Sequence, residues 1–225
     1  MARHDTFVPF EQALPADGRI EDRDTMAKMA FDRVVALIAL VIVAPLMVGV
    51  TLWIALRDPG PILFAHPRIG KGGRMFNCLK FRTMAVDADA ILARYLARDP
   101  AAAEEWRQSR KLRHDPRITP LGAMLRRTSL DELPQLINIL RGEMSLVGPR
   151  PIVPAETWHY GTAIRDYLSL RPGLTGLWQV SGRSDTGYPD RVRLDQTYVR
   201  GRSFGRDLVI LWQTVGVVLR REGSC

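Results

Sequence analysis

The sequence predicts an α/β fold, rich in helix with little sheet, in which a single compact domain follows an N-terminal membrane segment. Three features predict it. Residues 34–56 are 23 consecutive residues without a charge, bracketed by Arg33 and Arg57. Residues 62–81 have the apolar runs and glycine turn of a single hairpin. Beyond them, stretches rich in Ala, Leu, Arg and Glu alternate with loops marked by Gly and Pro, the pattern of short helices rather than of a large sheet. A chain of 225 residues can bury one good-sized core, and 46% hydrophobic with 25% charged residues is the balance of a folded protein.

Residues 1–24 hold prolines and acids with few periodic apolar positions and read as a mobile tail. The membrane unit is expected over 25–57. As one helix, its uncharged run would be about 34 Å long, enough for a hydrocarbon core of about 30 Å. A signal peptide does not fit, because an acidic-leaning segment precedes a run that is too long. A helix buried in a soluble core is the competing reading. Pro45, after Ala44, sits at the midpoint, where it removes a backbone donor and crowds the carbonyl one turn back, so a kink or break is expected. Basic residues flank both ends: Arg19, Arg23, Lys28 and Arg33 before, Arg57, Arg68, Lys71 and Arg74 after. Since Lys and Arg mark the cytoplasmic side, this suits a re-entrant hairpin with both ends cytoplasmic, and a kinked span is the alternative.

Residues 58–225 form the remaining domain. DPGP (58–61) is a turn, ILFA (62–65) and MFNCLKF (75–81) are strands about a GKGG turn, and 86–98 and 101–112 are helical. Thr119 followed by Pro120 is a helix start, and 129–142 is a further helix closing at Gly142. GPRP (148–151) and RPGLTG (171–176) read as rigid loops. The apolar run 208–219 is too short to cross a membrane and reads as a core helix or as an amphipathic interfacial one with Trp212 at headgroup depth.

The net charge is +8, unevenly spread: the first 33 residues carry five basic against seven acidic side chains, the rest 27 against 17. Of the 32 basic residues 28 are Arg, which forks onto phosphate, so anionic ligands and anionic lipid headgroups are expected partners. Scattered over many elements beside a membrane segment, these arginines argue against a nucleic-acid binder. Two distant cysteines, Cys78 and Cys225, exclude a disulfide framework and fit a reducing setting. The four histidines show no ligand spacing, and no glycine-rich phosphate loop is present. Asp87-Ala-Asp89 imitates a D-x-D metal motif but falls in a helical, Ala-rich stretch.

Asp131 and Glu132 are adjacent carboxylates at a helix start. Ser129 to Glu132 also matches a capping box, but Pro134 favours Asp131 as the cap, because proline is tolerated only in the first turn. In either arrangement both carboxylates meet the positive helix end, which favours ionisation. An ionised carboxylate is a competent nucleophile toward phosphorus, and a pair can hold a divalent cation. Arg126, Arg127, Arg141 and Arg150 lie nearby in sequence, a supply suited to neutralising a pyrophosphate.

Several blocks in order, FDRVVALI, GPILFAHPRIGKGGRMFNCLKFRTM, DPRITPLGAMLRRTSLDELPQLINILRGEMSLVGPRP, RPGLTGLWQVSGRSD and RVRLDQTYV, lie within a stretch from about Asp24 to Leu219. In them the chain resembles the bacterial sugar transferase family, the monotopic polyprenol-phosphate phosphoglycosyl transferases. The resemblance implies a two-step transfer of a sugar-1-phosphate from a UDP-sugar to polyprenyl (undecaprenyl) phosphate with release of UMP. Asp131 would be the nucleophile forming a covalent phosphosugar, and Glu132, with Asp131, would hold Mg²⁺. Matching motifs add Lys80, Arg82, Arg127, Arg150, Arg171, Arg183 and Asp195, the basic ones for phosphate or nucleotide and Asp195 as an organiser. The family's membrane helix is re-entrant and broken at Ser-Pro, where this chain has Ala44-Pro45. The C-terminal blocks most resemble enzymes that start exopolysaccharide units with galactose or glucose, making a UDP-hexose the expected donor. The resemblance places the protein in the bacterial inner membrane with its catalytic domain on the cytoplasmic face, and leaves open a homo-oligomer. A catalytically silent membrane protein organising polysaccharide assembly is the alternative.

Overall fold

A computed structural model describes residues 24–109, 112–182 and 187–220. The expected 1–24 tail, Asp24 apart, therefore lies outside the described residues. Helix α1 (Met26–Arg57) is capped by Thr25, whose hydroxyl accepts from the Lys28 amide. Pro45 lies inside it with helix on either side, so the discontinuity expected at Ala44-Pro45 is no gap in the element. Only 11% of the most apolar stretch of α1 is buried, which sets aside a helix enclosed in a soluble core.

Both halves of α1 dock on the same domain. In the first half, Ala36 is buried, with Phe31, Val35 and Ala39 beside it, against residues of β2 (Met75–Phe81), α5 (Gln135–Leu140) and β3 (Ser145–Val147). In the second, Val50 and Ile54 are buried against Phe81 and against Leu125 of α4 (Pro120–Arg127). Between and around these contacts Val34, Leu37, Ile38, Val41, Ile42 and Leu46 are exposed, an outward stripe at helical spacing.

Strand β1 (Leu63–Ile69) pairs antiparallel with β2 from Leu63↔Phe81 to Ile69↔Met75 around a turn at Lys71–Gly73, as the sequence predicts. Helices α2 (Ala88–Arg98) and α3 (Pro100–Ser109) follow. Thr119 caps α4 by accepting from the Gly122 amide at 2.9 Å, with Pro120 at the first helical position. Helix α4 then presses on the end of β2, where a Cβ at Gly122 would collide with the Thr83 carbonyl.

The expected 129–142 helix is divided. A single 3₁₀ turn spans Leu130–Glu132, and α5 begins only after Pro134, because proline cannot donate the bond that would join them. Gly142, at φ 78°, closes α5 as predicted. Asn138 ties α5 to the hairpin: its Oδ1 accepts from Leu79 N at 3.0 Å, and its Nδ2 donates to Asn77 O at 2.8 Å.

A second small sheet was not legible as strands. Strand β3 pairs parallel with β4 (Gly173–Thr175), which lies within the expected RPGLTG loop. The glycines there serve close approach, since a Cβ at Gly173 would overlap the backbone of Gly148. Between them comes α6 (Ile164–Leu168), and after them α7 (Leu177–Val180), α8 (Tyr188–Arg200) and α9 (Phe204–Arg220). Helix α9 buries Ile210 and exposes Phe204, Leu208, Val209 and Trp212, with Trp212 79% exposed, an amphipathic pattern continuous with α1 through the Phe31–Phe204 ring contact.

Candidate active site

The centre of the site is a strained turn. Ser129 adopts φ 56°, the left-handed region a side chain disfavours by about 1 kcal/mol or more, and it is the one non-glycine residue to do so among the described residues. The Ser129 side chain makes no cap bond, so the capping-box reading is not realised. Instead the chain reverses sharply and delivers Asp131 and Glu132 on consecutive positions of the 3₁₀ turn. Backbone strain of this kind persists where packing fixes it, and here it fixes the carboxylate pair.

Lys80, on β2, reaches both carboxylates. Its Nζ donates to Glu132 Oε1 at 2.7 Å and lies 3.9 Å from Asp131 Oδ2. Burial pushes the Asp131 carboxyl up to about 6, helped by the Glu132 charge and opposed by Lys80 and Arg126. Of the two arginines ending α4, it is Arg126, not Arg127, that faces Asp131 electrostatically. The Arg126 Nε donates to Thr83 Oγ1 at 2.9 Å, whereas the Arg127 side chain is exposed.

Beside this pair opens a cleft lined by Glu132 and Lys80 together with Arg68, Cys78, Gln135, Arg150 and Gln179. Three cations, Lys80, Arg68 and Arg150, therefore line it. Arg68 is anchored to the Arg150 loop by donating from Nη1 to Pro151 O at 3.1 Å. The block GPILFAHPRIG contains Arg68, but nothing in its spacing separates it from solvated arginines. Burial pushes the Cys78 thiol above its usual range, which marks it as a packing residue.

The other expected residues divide. Asp195 is buried and accepts from the Tyr160 hydroxyl at 2.7 Å. Burial pushes the Asp195 carboxyl up to about 6, against the pull of the Tyr160 hydroxyl and of Arg191. Arg82 and Arg171 do not line this cleft. The Arg82 guanidinium grips Asp58, both its carbonyl and its carboxylate, at the exit of α1. The Arg171 guanidinium is enclosed by Asp24 at 2.8 Å, Asp32 at 3.1 Å and the Met144 carbonyl at 3.1 Å, so its donors are spent inside the protein. Arg183 lies outside the described residues.

Comparison with known proteins bears directly on this arrangement. A family model described as "Bacterial sugar transferase" matches residues 23–221. The chain belongs to the bacterial sugar transferase family. Within that family, it is 47% identical over 218 residues to the exopolysaccharide production protein ExoY of Sinorhizobium fredii, covering 97% of this chain and 94% of the relative. An undecaprenyl-phosphate galactose phosphotransferase of Salmonella typhimurium is 48% identical over 88% of this chain and 41% of its own length. A UDP-glucose:undecaprenyl-phosphate glucose-1-phosphate transferase of Caulobacter vibrioides is 40% identical over 88% of this chain and 72% of its own length. As a bacterial sugar transferase with a long, outward-facing apolar helix, the protein is membrane-associated.

Proposed function

We propose that this sugar transferase moves a hexose-1-phosphate, galactose or glucose, from a UDP-hexose onto polyprenyl phosphate, beginning an exopolysaccharide or related glycoconjugate. The observation that carries the reading is a buried carboxylate, Asp131, held by a strained turn 3.9 Å from Lys80 of the basic cleft. An ionised Asp131 oxygen attacks the β-phosphorus of the donor. The bond from that phosphorus to the bridging oxygen breaks, and UMP departs with the oxygen, leaving an aspartyl phosphosugar. An oxygen of polyprenyl phosphate then attacks the same phosphorus, freeing the carboxylate and giving a polyprenyl diphosphosugar. Lys80, Arg68 and Arg150 are placed to bind and orient the phosphates whose charge must be met during transfer.

Among the described residues no cluster of three or more His, Cys, Asp or Glu gathers as a metal cage. The Asp131–Glu132 pair fits the other mode, in which Mg²⁺ takes one or two carboxylates and completes its shell from substrate phosphates and water. Glu132 and Asp131 would hold it, and the ion would supply charge neutralisation at the pyrophosphate.

The deciding experiment is incubation of the purified protein with UDP-galactose or UDP-glucose, Mg²⁺ and polyprenyl phosphate. UMP release is expected, UDP release would mean ordinary glycosyl transfer, and no nucleotide product would leave the silent organiser. The acid limb is a second test. Because Asp131 must be ionised, kcat/KM should fall about tenfold per pH unit below about 6. Lys80→Met removes a charge that favours the ionised form, so the limb should move to higher pH; an unmoved limb would assign it to another group.

For the membrane, docking of both halves of α1 on one domain supports the re-entrant reading, with both ends on the cytoplasmic side. A cysteine placed at residue 20 should resist a membrane-impermeant thiol reagent added to spheroplasts of intact inner membrane, and react once the membrane is opened. Labelling before opening would mean a spanning helix.

A further inference from the structure

On the proposed reading Arg150 meets substrate phosphate in the cleft, yet what fixes its guanidinium lies behind the cleft wall. Its guanidinium carbon lies 5.2 Å from the centroid of the Trp178 ring. That indole, on α7, also meets a second guanidinium: Arg191, on α8, lies 5.0 Å from the Trp178 ring and 4.9 Å from the Tyr188 ring. Arg191 is 7% exposed and Trp178 9%. Among the described residues, Arg191 Nε and Nη2 and Trp178 Nε1 find no hydrogen-bond partner.

A buried guanidinium ordinarily satisfies its donors on carbonyls or carboxylates. Here two ring faces hold it instead, an attraction that strengthens when the cation is desolvated. Two guanidiniums sharing one indole also repel one another, and nearby Glu156 and Asp195 offset that repulsion.

We infer that Trp178 and Arg191 are positioning residues for Arg150: the indole fixes the Arg150 guanidinium against the cleft, and Arg191 fixes the indole. The inference rests on the reading of Arg150 as a phosphate contact. Neither residue touches the cleft, and neither stood out in the sequence as part of the site.

The test is a double-mutant cycle on the full chain in detergent, with pyrophosphate binding by calorimetry and the KM and kcat of UMP release as readouts. Trp178→Ala and Arg150→Ala should each weaken pyrophosphate binding about tenfold and raise KM similarly, with a smaller change in kcat. The double variant should bind no more weakly than Arg150→Ala, Trp178→Phe should recover most of the loss, and Arg191→Met should fall between. Independent losses in the double variant, or Trp178→Phe as weak as Trp178→Ala, would overturn the inference. A wild-type protein that releases no UMP would overturn the proposed reaction alone, since the pyrophosphate cycle still decides the positioning.

Discussion

Asp131→Asn is expected to abolish UMP release, by three orders of magnitude or more, and to leave no phosphosugar adduct on intact-mass analysis. Amide nitrogen and oxygen are far poorer nucleophiles than a carboxylate, and no neighbouring group can replace it: Glu132 is engaged by Lys80 at 2.7 Å. The same variant should be more stable than the wild type. The Asp131 carboxyl is pushed up to about 6, so at pH 7 the fold disfavours its ionised form relative to the unfolded chain. A neutral isostere removes that penalty, a gain of about 2 kcal/mol at pH 7 that should shrink as pH falls from about 6 toward 4. Thermal melts of both proteins at pH 7 and pH 4.5 would show it. Lost activity with unchanged or lowered stability would mean that Asp131 is not the desolvated group it appears in the fold, and a persistent adduct would displace it as nucleophile.

Arg171→Met should have the largest effect on stability. The guanidinium lies between Asp24 and Asp32, and Asp32 also accepts from Lys28 at 3.1 Å and Ser145 at 2.7 Å. Lys28 continues the chain of charges to Asp207 at 2.9 Å, which receives Tyr198. Removing the guanidinium that joins the two carboxylates costs each its Arg171 hydrogen bond inside a buried network, a loss of about 3 kcal/mol. For a domain of this size that is a fall in Tm on the order of 10 °C. Below the lowered Tm, KM for the UDP-hexose should stay near wild type, because Arg171 does not line the cleft. A raised KM with an unchanged Tm would return Arg171 to the phosphate-binding set that its motif suggested.

The contrast between Arg171 and Arg150 shows where the sequence ran out. Both sit in Gly- and Pro-marked blocks, and local sequence treats them alike. Only the parallel pairing of β3 with β4 sends one guanidinium inward to Asp24 and Asp32 and the other to the cleft, and three-residue strands carry too little periodicity to announce that pairing. Local chemistry was legible where a single residue decides: Thr119 with Pro120 starts α4, Gly142 ends α5, and the GKGG turn closes the hairpin. It was illegible at Ser129, whose left-handed backbone is imposed by packing against its propensity, and at Pro134, which divided a helix that periodicity alone would continue. The carboxylate pair is visible in the sequence as two adjacent residues. The cations that serve it come from β1, β2 and the Arg150 loop, whose convergence is a property of the tertiary fold.

The Asp32–Arg171 pair joins the insertion step to the chemistry. Asp32 belongs to α1, the element that must find the bilayer, while Arg171 precedes the strand that packs beside the Arg150 loop. A chain whose first helix has not settled in the lipid lacks Asp32, one of the two carboxylates that hold Arg171, and its cleft wall loses that support. Misplaced copies should thus be idle rather than consuming nucleotide sugar in the cytosol, and excision of the helix should yield an unstable domain instead of a soluble enzyme.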